Sequence, residues 1–167
     1  MTTSPHTTDE VDALVADWVR ERPDLNTKPL LIFSRITRIA VLLDRARQSA
    51  FTDHGVTGWE FDVLAALRRS GHPYRLTPGQ LLRETMVTSG TMTTRVDRLT
   101  ERGLVERLPD PSDRRGVLVA MTEQGRLVVD GALDALVTAE EEILAGLDTA
   151  DRQELAALLR RLSAAFD

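Results

Sequence analysis

The sequence predicts a mainly α-helical fold with one small β-hairpin set into its second half. Three observations carry this. Apolar residues recur at helical spacing in several segments separated by Pro or Gly. Thr, Ser or Asp stands at the start of these segments, and two of them carry Glu or Gln three residues later. Two β-rich runs, LVERL and GVLVAM, flank the turn-forming stretch PDPSDRR.

In chain order, Thr8 is the expected cap of a helix from Asp9 to Arg22, with Val11, Leu14, Val15 and Trp18 on one face. Pro23 ends it, and PDLNTKP is a connector. Pro29 opens a long helix to Phe51, whose face of Ile32, Ile36, Ile39, Leu42 and Leu43 is apolar. Asp53, His54 and Gly55 break it. Thr57 and Glu60 make a capping box for a helix through Leu67, and SGHPYR reads as a loop. Thr77 and Gln80 make a second box, with Pro78 at the first helical position of a short helix that ends near Glu84. After the turn MVT, Thr88 or Ser89 caps a helix to Arg102, which Gly103 stops. The hairpin follows. Thr122 caps a long helix through Leu144, Gly146 breaks it, and Asp148 or Thr149 caps a last helix to Phe166.

A short helix, a turn, a second helix and then at once a hairpin is the order of a winged helix-turn-helix. The expected organisation is N-terminal helices over residues 1–56, a winged helix-turn-helix lobe over 57–121 and C-terminal helices over 122–167. The outer two form a helical dimerisation region. Such a lobe binds DNA.

Composition narrows the function classes. With 167 residues and 42% hydrophobic content the chain has enough apolar surface for a core, and aromatics at 4% make that core aliphatic. No run approaches the roughly 20 apolar residues of a membrane span, and MTTSPHTTDE lacks a signal pattern, so the expectation is a cytoplasmic protein with no membrane partner. Without cysteine there are no disulfides, thiolate metal sites or thiol redox sensors. His6, His54 and His72 stand apart from one another, and neither metal nor cofactor is expected. Net charge is −5, yet between Arg75 and Gly116 eight arginines face six acids. A basic middle therefore sits in an acidic frame, and arginine offers phosphates and base edges a fixed fork of donors.

On a helical wheel of Ser89 to Arg102, Met92, Val96 and Leu99 share one narrow face, which must pack inward. Gly90, Thr94, Asp97, Arg98 and Glu101 point away, with Thr91 and Thr93 at the flanks. The N-terminal half of that outer face is small and hydroxyl-bearing, suited to a major groove. Thr77, Thr88, Ser89, Gly90, Thr91, Thr93, Thr94 and Arg98 are the candidate DNA contacts here. At the hairpin tip Arg114 and Arg115 are candidates for a minor groove, with Asp113 holding one guanidinium in place.

The stretch from Leu76 to Arg126 resembles the MarR family, carried by VDRLTERGLVER, the wing's DPSDRRG and the exit MTEQGR. The long helices on either side also match. The resemblance implies a triangular, mostly helical homodimer with a winged helix at each lower corner, binding palindromic double-stranded DNA, usually as a repressor. The family's Asp-x-Arg wing pattern falls on Asp113 and Arg115. A subgroup responsive to urate and similar anions has an additional N-terminal helix with a tryptophan, an aspartate ahead of the helix-turn-helix, and two arginines. Those positions read Trp18, Asp62, Arg95 and Arg107 here, with Phe61 before the aspartate. Some relatives respond to citrate-like acids instead. The wheel places Arg95 beside the buried face, and Asp62 lies inside the apolar run DVLAAL, where a carboxylate needs a partner. The two are either part of a pocket for a small anionic metabolite or a structural salt bridge.

No nucleophile–base pair or phosphate-cradling loop marks an enzyme. The competing readings are a ligand-independent architectural DNA-binding protein and a winged helix used for protein contacts.

Overall fold

The computed structural model describes residues 8–166, with the side chains of Arg114 and Arg115 outside that description. The chain divides into two compact units, Met1–Ala46 and Arg47–Asp167.

In the first unit, α1 (Glu10–Glu21) is capped by Asp9 and not by Thr8. The Asp9 carboxylate accepts from the Val11 and Asp12 N–H groups at 2.8 and 3.1 Å, and Asp12 accepts from the Asp9 N–H at 2.9 Å. A carboxylate takes two amides at once and places negative charge at the positive end of the helix, which a threonine does not. Arg35, on the long helix α2 (Leu30–Thr52), pairs with Asp9 at 2.8 Å and with Asp12 at 2.9 Å, and Arg38 pairs with Glu10. The hydrogen bond from Arg35, helped by the two amides, holds the Asp9 carboxyl down at about 2. Val11 and Val15 are buried.

The second unit begins with the end of α2, where Phe51 stacks on Phe61 at 4.4 Å between ring centroids. Then come α3 (Gly58–Arg69), β1 (Arg75–Leu76), α4 (Pro78–Thr85) and α5 (Ser89–Glu101). They are followed by β2 (Val105–Asp110), β3 (Asp113–Met121), α6 (Glu123–Ile143), a 3₁₀ turn at Leu144–Gly146, and α7 (Thr149–Ser163). The expected capping boxes are in place at Thr57 with Glu60 and Thr77 with Gln80, and Thr88, Thr122 and Asp148 cap α5, α6 and α7. The last helix stops at Ser163, short of Phe166.

The sheet is antiparallel in the order β1-β3-β2. Its third strand is a departure from the sequence reading, which took SGHPYR as loop throughout. Arg75 and Leu76 pair with Ala120 and Val119. Two residues are too few to show an alternating pattern, and their partners lie more than forty positions away. The core gathers α3, where Phe61 and Val63 to Leu67 are all buried, with Leu81, Met92, Val96, Leu99, Leu104, Val105, Val119, Met121 and Val129.

One glycine is required by a close approach. A Cβ at Gly125 would lie 2.1 Å from the Leu104 carbonyl oxygen. The start of α6 is pressed onto the strand entry there, with the Thr122 hydroxyl donating to Gly103 O at 2.7 Å and the Thr122 N–H to Leu104 O at 3.1 Å. This contact accounts for the Thr and Gly of MTEQGR. Among the described residues no helix is long and apolar enough to cross a membrane.

Candidate nucleic-acid interface

The turn between α4 and α5 is made by Met86, whose backbone is left-handed at φ +52° and which closes α4 by donating its N–H to Leu82 O at 2.9 Å. The chain then re-enters a helix capped by Thr88. On α5 the wheel reading holds for burial: Met92, Val96 and Leu99 are buried, while Thr88, Ser89, Gly90, Thr91, Thr93, Thr94 and Arg98 are exposed. The hydroxyls of Thr93 and Thr94 donate back into the helix, to Ser89 O at 3.1 Å and Gly90 O at 3.2 Å, and those of Thr88 and Thr91 share a hydrogen bond of 2.9 Å. A hydroxyl that donates inward presents lone pairs and its methyl outward, which suits base amino groups and thymine methyls. Thr77 is half-buried and caps α4, accepting from the Gln80 N–H at 3.2 Å.

Three polar contacts hold α5 in place. At its C-terminal end Arg102 donates to Glu60 Oε1 at 2.5 Å and to Gly55 O at 2.7 Å. Glu60 is only 4% exposed, and its second oxygen accepts from the Thr57 N–H at 2.8 Å. Burial pushes the Glu60 carboxyl up, but the Thr57 amide and the Arg102 guanidinium outweigh it and hold the group below the usual range. Midway, the Arg95 guanidinium lies over the Trp59 ring, 5.5 Å from its centroid. One step further Asp97 pairs with Arg107 of β2 at 2.6 Å. An open cleft of about 480 Å³ is lined by Trp59, Gly90, Thr91, Thr94, Arg95 and Arg98.

At the wing, Asp110 accepts from the Ser112 N–H at 2.8 Å and hydroxyl at 2.6 Å, and these hydrogen bonds hold its carboxyl below the usual range. Asp110 stands opposite the exposed Asp113, and a Cβ at Gly116 would lie 2.9 Å from the Asp110 Cβ. The backbone of Arg114 and Arg115 belongs to β3; their side chains, and the pairing expected between one of them and Asp113, lie outside the described residues.

The four residues expected at an anion pocket are placed differently from the sequence reading. Asp62 is exposed, not buried, and makes no ion pair among the described residues. It lies one turn after the half-buried Gly58 and two turns before the exposed Arg69, on the narrow solvent face of a helix of 3.6 residues per turn. The Asp62–Arg95 salt bridge is therefore not formed. Arg95 is half-buried as expected but against Trp59, and Arg107 is held by Asp97. Trp18 lies on α1 in the first unit and is 49% exposed. Sequence reasoning missed Trp59, Asp97 and the Glu60–Arg102 pair. The only signal for the last was a second carboxylate oxygen on Glu60 left over by the capping box.

A capped short helix, a tight left-handed turn, an outward helix face of hydroxyls and arginine, and a hairpin wing define a winged helix-turn-helix DNA-binding protein. A MarR-family model matches residues 54–116. The transcriptional regulator PecS of Dickeya dadantii is 36% identical over 153 residues, 92% of this chain and 92% of PecS. Among solved structures, a cysteine-to-serine mutant of Escherichia coli MarR in complex with operator DNA superposes with a TM-score of 0.70 at 26% identity, covering 87% of this chain and 96% of MarR. Bordetella bronchiseptica BpsR, whose DNA binding is regulated by 6-hydroxynicotinic acid, matches with a TM-score of 0.68 at 28% identity, over 79% of this chain and 92% of BpsR. The chain belongs to the MarR family of DNA-binding transcriptional regulators, and it is not an enzyme.

Proposed function

We propose that this regulator is a cytoplasmic repressor that binds a palindromic operator as a homodimer and releases it when a small organic anion binds. The observation that carries the DNA part is the outer face of α5, where Thr88 to Thr94 and Arg98 stand exposed over a buried Met92–Val96–Leu99 stripe. In this reading that face enters the major groove, Thr77 and the α4 cap meet the backbone, and Arg114 and Arg115 enter the minor groove with Asp113 steadying the tip. Residues 57–121 are the DNA lobe, and residues 1–56 and 122–167 supply the dimer.

The ligand part rests on residue chemistry. Arg95 and Arg107 are two guanidiniums attached to the two DNA-reading elements, one on α5 and one on β2. An anion that draws either one away from its present partner changes the pose of that element. The urate-responsive pattern also names Trp18 and Asp62, and the regulation of BpsR by an aromatic carboxylic acid supports an anionic effector. A coupling of about 1–3 kcal/mol between the two sites changes DNA affinity roughly 5- to 150-fold.

The experiment is a gel shift on the DNA upstream of the chain's own gene, at fixed salt, with urate, xanthine, citrate and 6-hydroxynicotinate. Wild type should release DNA in at least one of these, and Arg95→Ala should bind DNA but resist release. Wild-type binding that ignores every anion identifies a ligand-independent DNA binder. Release by Arg95→Ala at wild-type ligand concentrations places the effector elsewhere.

A further inference from the structure

The two DNA-reading elements meet at a sharp corner. α5 ends at Glu101, Gly103 turns the chain with φ +70°, and β2 begins at Val105. The corner itself is fixed by main-chain bonds, Gly103 N–H to Thr100 O at 2.9 Å and Leu104 N–H to Leu99 O at 3.0 Å. Its two arms are joined further out by Arg107 Nη2 and Asp97 Oδ1 at 2.6 Å. Asp97 lies several residues before the corner and Arg107 several after it, so the pair spans the angle as a brace spans two beams.

DNA contact alone gives Asp97 no purpose. It is a carboxylate on the helix that faces a polyanion, beside Arg98, and near phosphates its charge opposes binding. The pair is also too open to serve the core: the two side chains are 41% and 48% exposed. Exposed pairs of this kind contribute little to folding, and their geometric effect is the larger one.

We propose that Asp97 is a positioning residue for DNA recognition: through its ion pair with Arg107 it sets the angle between the wing and α5, so that both grooves are met in one register. The inference rests on the reading that α5 and the wing are the parts that enter the grooves. The grooves of B-DNA have a fixed separation, so a wing whose tilt against α5 is loosened contacts phosphates as well as before but loses the combined fit that distinguishes an operator from other duplexes.

The test uses the full chain as wild type, Asp97→Asn, Arg107→Gln and the double variant. Each is titrated against an operator selected by the wild-type protein from random duplexes and against an unrelated duplex of equal length. The measured quantity is the ratio of the two affinities. Each single variant should lower that ratio about three- to five-fold, the factor one exposed ion pair supports. The double variant should lose no more than either single, because one contact is lost in all three. Thermal melting should stay at the wild-type value. A ratio unchanged in Asp97→Asn overturns the proposal, and so do losses that multiply in the double variant. Arg98→Ala, measured alongside, tests the underlying reading separately: if it binds the operator as wild type does, α5 is not the reading helix, whatever the Asp97 cycle shows.

Discussion

At the scale of single residues, α5 presents two kinds of proposed DNA contact that mutation can tell apart. Arg98 is exposed and ends in a guanidinium, whereas Thr94 is exposed and ends in a methyl and a hydroxyl that donates to Gly90 O. Arg98→Ala should weaken binding to every duplex and reduce the slope of log affinity against log salt by about one, as expected for a lost phosphate contact. Thr94→Ala should leave the salt slope alone and alter the preferred base at one position of each half-site. Selection of bound duplexes at two salt concentrations distinguishes these outcomes, and a Thr94→Ala protein with unaltered base preference would remove that residue from the reading face. The residue scale is also where the sequence was least informative. The buried stripe of α5 follows from periodicity alone. The partners of Arg95 and Arg107 do not, because a guanidinium chooses among whatever carboxylates and rings the tertiary fold brings near it. Asp62 sits in an almost wholly apolar run, yet the helix turns it to the one face that stays wet.

Elements were far more legible, since caps and breakers act locally. Thr57 with Glu60 and Thr77 with Gln80 state their helix starts in four residues each, and Gly103 and Gly146 mark where helices yield. β1 was invisible for the opposite reason: Arg75 becomes a strand only because Ala120 arrives beside it. The joint between α3 and α5 combines both cases, because Glu60 serves its own cap and also anchors Arg102. Its pH dependence has a definite sign. The folded-state carboxyl lies below its usual value near 4.5, so the ionised group stabilises the fold fully above that value and loses this contribution as pH falls through the lowered one. Glu60→Gln keeps the shape and removes the charge, and at neutral pH it should destabilise the chain by about 1–3 kcal/mol, the cost of a weakened buried acceptor. The gap between wild type and variant should be widest near neutrality and should close as pH falls through the lowered Glu60 value. Denaturant melts at several pH values measure it, and a gap that stays constant into acid would show that the charge on Glu60 is not what holds Arg102.

For the whole molecule, the apolar surface points to a second copy of the chain. None of the residues of α7 is buried, although Leu155, Leu158 and Leu159 are 41%, 50% and 44% exposed. Leu133, Val137 and Ile143 on α6 and Ile32, Ile39 and Leu42 on α2 are exposed to a similar degree. So many exposed large aliphatic side chains are more than singly scattered ones account for, and helices at both ends of the sequence share the excess. The expected particle is a two-fold dimer of about 37 kDa, twice the 18.5 kDa chain, at micromolar concentration by light scattering. Leu155→Glu with Leu159→Glu should yield monomers whose circular dichroism is retained. DNA binding then supplies a geometric test of the symmetry. Two copies of α5 related by a two-fold axis reach one face of a duplex only if the half-sites lie about one helical turn, 10–10.5 base pairs, apart. Inserting about five base pairs between the half-sites turns the second one to the far face of the duplex, and a further five bring it back one turn away. A dimer with two fixed reading heads should bind the original operator tightly, lose the second half-site after the first insertion, and show the affinity of a single half-site there. The monomeric variant should bind all three duplexes equally and weakly. Wild-type binding that ignores the five-base-pair insertion would mean that the two lobes are not held in register, and a palindromic operator would then be the wrong target for this protein.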